Sequence, residues 1–76
     1  MTEEQKKALQ PFIQNAKAKD VHINIYLWAV ASMLNSNDWK ATLEDIMDML
    51  DNSKDCDEFA LRLIEKYPGQ TVADTE

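Results

Sequence analysis

Val21-His22-Ile23-Asn24-Ile25-Tyr26-Leu27-Trp28-Ala29-Val30-Ala31-Ser32-Met33-Leu34 is the stretch whose reading decides the fold. Its first eight residues alternate: Val21, Ile23, Ile25 and Leu27 are interleaved with His22, Asn24, Tyr26 and Trp28, the period of two expected of a half-buried strand. The apolar character then continues to Leu34 with no turn signal, well beyond the ~5–6 residues of a typical strand. No other segment offers a partner strand, and a lone strand leaves its backbone N–H and C=O groups unpaired. The segment is therefore expected to be a helix over 20–35, with Asp20 as its N-cap. On that helix Ile23, Tyr26, Leu27, Val30 and Leu34 share one side, the expected core face, and Val21, Ile25 and Trp28 lie opposite. A helix apolar nearly all round is either a central element or an interface. Val21, Ile25 and Trp28 are accordingly the candidate partner-binding apolar patch. Read instead as a strand paired across a dimer, Val21 to Trp28 would suggest a β-ribbon DNA reader, but the stretch holds no lysine or arginine.

On the N-terminal side, Thr2 is a plausible N-cap and Glu3 and Glu4 suit a first turn. Leu9, Phe12, Ile13 and Ala16 recur at helical spacing, which predicts a helix over 3–18 kinked or restarted at Pro11, because proline lacks a backbone donor and crowds the preceding turn. On the C-terminal side, Asn35, Ser36, Asn37 and Asp38 form a loop, and a third helix over 39–51 follows, starting near Asp38 or at Thr42, where Thr42 with Asp45 makes a weak form of the capping box. There Trp39, Leu43, Ile46 and Leu50 make one stripe, flanked by Met47 and Met49, while Glu44, Asp48 and Asp51 align on the other side. After a polar break at 52–54, Asp55 with Glu58 marks the start of a fourth helix over 55–67, with Phe59, Ala60, Leu63, Ile64 and Tyr67 on one face. Pro68-Gly69 ends it, and 69–76 reads as a disordered tail. The expected fold is all-α: one domain over 1–68, a small bundle of three to four short helices.

With 76 residues, only one domain is possible. Its formal charge of -6 is local: up to Ala41 four acids face five lysines, and beyond it ten acids face three bases. An acidic half repels phosphate backbones, so no direct nucleic-acid contact is expected. The longest unbroken apolar run, Ile25 to Ala31, is far below the ~20 residues that span a bilayer, so no membrane partner is expected. One cysteine forms no internal disulfide and the N-terminus carries no apolar leader, which points to the cytoplasm.

Chemistry is scarce. Cys56 would lie in a helix's first turn among Asp55, Asp57 and Glu58, whose like charge opposes a thiolate. His22, the single histidine, belongs to another element. Asp51-Asn52-Ser53-Lys54-Asp55 has the opening of a calcium loop, but Cys56 replaces the turn glycine and Arg62 the bidentate glutamate. Glycine-rich phosphate loops and structural zinc sets are likewise excluded by composition. No catalytic residue, cofactor or metal site is assigned, and the protein is not expected to be an enzyme.

Two functional expectations remain. The first is a non-catalytic, regulatory or accessory module that binds another protein or itself, a homodimer included, using the apolar patch and the surplus of Trp28, Trp39, Met33, Met47, Met49, Tyr26 and Tyr67. The alternative is an acidic inhibitor or nucleic-acid mimic that places Glu44, Asp48 and Asp51 in a basic site of a target.

Overall fold

A computed structural model describes residues 1–68. They form α1 (Glu3–Ala18), α2 (Ile23–Leu34), α3 (Trp39–Asn52) and α4 (Cys56–Lys66). No strand occurs among the described residues. The helical reading of Val21 to Leu34 and the all-α bundle thus hold, with ends displaced by a few residues; the expected tail over 69–76 lies outside the described residues.

Helix α3 is the hub, packing against α1, α2 and α4 in turn. Its stripe behaves as its spacing dictates: Leu43, Ile46, Met49 and Leu50 are buried, and Trp39 and Met47 pack half-buried at the margin. Leu9, Phe12 and Ala16 of α1, Trp28, Ala29 and Met33 of α2, and Phe59 and Leu63 of α4 close the core around it. In α4 the inward face is narrower than the sequence suggests, since Ile64 remains 45% exposed.

The ends of the helices are built by local hydrogen bonds. Thr2 and Gln5 form a reciprocal capping box, the Thr2 hydroxyl accepting from Gln5 N–H at 3.2 Å and the Gln5 amide oxygen accepting from Thr2 N–H at 2.8 Å. Helix α1 then runs through Pro11 as one element instead of restarting there. Pro11 and Lys7, whose carbonyl loses its i+4 donor, are both exposed, so water can meet that carbonyl, while Leu9, Phe12 and Ala16 anchor the turns on either side.

The junction between α1 and α2 differs from the sequence reading. Asp20 is not the N-cap of α2; it is the residue after the C-cap of α1, in the left-handed region at φ 55°. Its N–H donates to Lys17 C=O at 3.1 Å and the Val21 N–H to Ala16 C=O at 3.0 Å, the paired bonds of a Schellman motif. The cap of α2 passes to His22, whose Nδ1 accepts from Asn24 N–H at 3.2 Å. Asp55 caps α4 as its position predicts, accepting from Glu58 N–H, and α3 starts at Asp38, which accepts from Ala41 N–H, and not at Thr42.

Candidate interaction surface

Helix α2 buries the side opposite to the one its large aliphatic residues suggest. Trp28, Ala29, Ser32 and Met33 are buried, with Val21 and Ile25 half-buried against the core. Ile23, Leu27 and Leu34 face out at 59%, 55% and 39% exposure, with Val30 half-buried among them. The candidate patch of Val21, Ile25 and Trp28 is therefore not a free surface, and the expected core face is the outer one. Two features of the buried side favour it. Ala29 and Ser32 are small, which lets α2 lie close against α3, and the Ser32 hydroxyl satisfies itself on the Trp28 carbonyl at 3.0 Å. The surplus apolar residues change identity as well: Trp28, Met33 and Met49 are spent on the core, and isoleucine and leucine are left outside.

The outer stripe of α2 runs into a cleft of about 380 Å³ between the end of α1 and the start of α2. Ile13, Ala16, Val21, Ile23 and Tyr26 line it, with Lys17 and Asp20 at its polar edge. Tyr26 is fixed there by stacking on Phe12, ring centroids 5.5 Å apart and planes 13° from parallel. Burial pushes the Tyr26 phenol above its ordinary pKa. Ile23 belongs to both stripe and cleft, so the two make one apolar surface.

The acidic candidates lie where the sequence puts them: Glu44, Asp48 and Asp51 are exposed on α3. Asp51 accepts from the Asn15 side-chain amide at 3.2 Å. Glu44 and Asp48 form no ion pair among the described residues. Their neighbour Asp45 does: Lys66 Nζ lies 2.8 Å from its carboxylate and the Tyr67 hydroxyl donates to it at 3.0 Å. These contacts, the Lys66 hydrogen bond first, hold the Asp45 carboxyl below its ordinary pKa against the opposing effect of burial. The Tyr67 phenol is raised, by burial first and then by Asp45.

Cys56 and His22, assigned to separate elements from sequence, are brought together: the His22 N–H donates to Cys56 Sγ at 3.4 Å. The contact is through the backbone, and the imidazole Nδ1 is engaged in capping α2, so it makes no base and nucleophile pair. Ser53, the third position of the calcium-like run, is buried and donates its hydroxyl to the Met49 carbonyl. Among the described residues no three His, Cys, Asp or Glu side chains cluster as metal ligands, and no helix is long and apolar enough to cross a membrane.

A residue the sequence did not flag is Lys19. Its ammonium donates to the carbonyls of Leu50 at 2.9 Å and Ser53 at 2.8 Å, with Asp51 C=O at 3.4 Å, and so supplies the positive charge that the last turn of α3 lacks. It locks the end of α1, and with it the cleft, onto α3. Compared with protein-family models, curated proteins and solved structures, the chain matches none, so a functional reading has to stand on these residues themselves.

Proposed function

We propose that this protein is a small acidic helical module that binds another protein through the outer face of α2. The observation that carries this reading is the exposure of Ile23, Leu27 and Leu34 along one side of a regular helix. Burying such a side chain fully contributes ~1.5–3 kcal/mol, so covering the three exposed fractions is worth about 3 kcal/mol in all. An amphipathic stripe of this kind suits the laying of one helix against another or into a groove. The accessory or regulatory, non-catalytic character and the cytoplasmic location rest on composition: scarce histidine, cysteine and glycine, and no disulfide to demand an oxidising compartment.

Glu44 and Asp48, exposed and without an ion pair among the described residues, support a second reading, in which the acidic side of α3 occupies a basic site on a target. Placing a photoreactive amino acid at position 27 or at position 44 in the native host separates the two. Adducts at 27 that vanish when Leu34 is changed to Asp support the α2 face. Adducts confined to 44, and lost at high salt, would transfer the function to α3.

A further inference from the structure

We infer that the occupant of the outer face of α2 is a second copy of this chain, packed about a two-fold axis. The inference rests on the reading of that face as an interaction surface and adds what covers it.

Spacing is the first argument. Ile23, Leu27, Val30 and Leu34 follow steps of four, three and four, the alternation of a heptad seam, and at 100° per residue they fall within about 60° of arc. Such a narrow seam matches another seam of the same repeat, and a two-fold axis supplies one without a second gene product.

Charge is the second. From Ile23 to Leu34 there is no aspartate, glutamate, lysine or arginine. Flanking charges that would select a different helix as partner are absent from α2 itself. A basic partner would be drawn to the acidic surface of α3 and α4, whereas two copies of a molecule with charge -6 repel least where they present an uncharged helix. At the cleft that continues the seam, Lys17 and Asp20 stand on the edge with opposite signs, and neither forms an ion pair among the described residues. An interface that meets its own image needs such a balanced set, because a single sign would face itself.

Size sets the strength. The chain exposes 4993 Å² in total, and a standard stable interface takes ~800 Å² from each partner, about one-sixth of that surface. A helix of 12 residues is only ~18 Å long and, even with the cleft, presents less. The dimer therefore belongs to the small, reversible class of interface.

Sedimentation equilibrium of the intact chain from about 10 μM to about 1 mM tests this. The expected result is a monomer–dimer equilibrium that holds or strengthens as salt screens the like charge of the two copies. Leu27→Asp should raise the dissociation constant at least tenfold while its circular dichroism stays unchanged, since Leu27 is half in water already; Lys7→Ala should leave it alone. A Cys56→Ser chain carrying Leu27→Cys should give covalent homodimers under mild oxidation. A wild-type monomer at every concentration overturns the second copy, as does association that survives Leu27→Asp or collapses with salt. If the wild type stays monomeric while position 27 cross-links a different protein in the host, the interaction-module reading stands and only the second copy falls.

Discussion

Replacing Lys19 by methionine tests the tertiary lock that joins the end of α1 to the end of α3. Methionine keeps most of the aliphatic stem and removes the ammonium, so the loss reports the charge and its hydrogen bonds and not the packing of the stem. Two of those bonds, to Leu50 and Ser53 C=O, are short at 2.9 and 2.8 Å and partly buried. Leu50 C=O keeps a second donor, the Ser53 N–H at 3.2 Å, whereas no other donor to the Ser53 carbonyl is found among the described residues. A hydrogen bond involving a charged group contributes ~1.5–3 kcal/mol, and a cation at a helix C-terminus ~0.3–1 kcal/mol. Against these stand the ammonium's lost hydration and side-chain freedom, leaving a net contribution of about 2 kcal/mol. A domain of this size has a total stability of only ~4–10 kcal/mol, so the change is a large share of it. At ~4–8 °C per kcal/mol the midpoint of thermal unfolding, followed by circular dichroism at 222 nm, should fall by about 8–16 °C. Lys17→Met, two residues away and exposed at the cleft, is the control and should shift it by no more than about 3 °C. If Lys19→Met moves the midpoint as little as the control, the lock is decorative and the argument for it is wrong.

The inward face of α2 is tested by a pair of truncations: Trp28→Ala should cost ~3–5 kcal/mol in urea unfolding, whereas Leu27→Ala should cost under about 1 kcal/mol, and the reverse order would restore the face suggested by sequence. Trp28→Phe should be tolerated far better than Trp28→Ala, because the buried Trp28 Nε1–H has no hydrogen-bond partner among the described residues and the substitution removes that donor. Asp20→Gly should stabilise by ~0.5–1 kcal/mol, since glycine takes the left-handed conformation at the end of α1 without a Cβ penalty; a loss would mean that the Asp20 side chain contributes more than its backbone costs. The Asp45 carboxyl has a folded pKa below its unfolded one, so its contribution is fully present above the ordinary carboxylate range and is lost as pH falls through the folded value. Acid titration of stability should therefore show a drop in that window that Asp45→Asn reduces, by under about 1 kcal/mol for so exposed a pair.

Fold class was legible because it depends on periodicity and punctuation, which are local. The stripe of Leu43, Ile46 and Leu50 and the cap at Asp55 could be read directly, and so could the acidic side of α3, because a helix with one apolar face has only one way to turn it inward. The end of α1 was not legible. A Schellman motif usually announces itself with glycine, and here Asp20 occupies that position, so its resemblance to an N-cap pointed to the wrong helix.

The sequence by itself determined an all-α bundle of short helices and where along the chain its formal negative charge lies. Only the tertiary structure decided which side of α2 is inside. With apolar residues at nearly every position and no charged side chain on either side, its own amphipathicity did not discriminate. Packing on α3 settles it, with Trp28, Ala29, Ser32 and Met33 buried and Ile23, Leu27 and Leu34 in water. The same holds for Lys19, whose partners lie 31 to 34 residues away and come within reach only once α1 and α3 are packed.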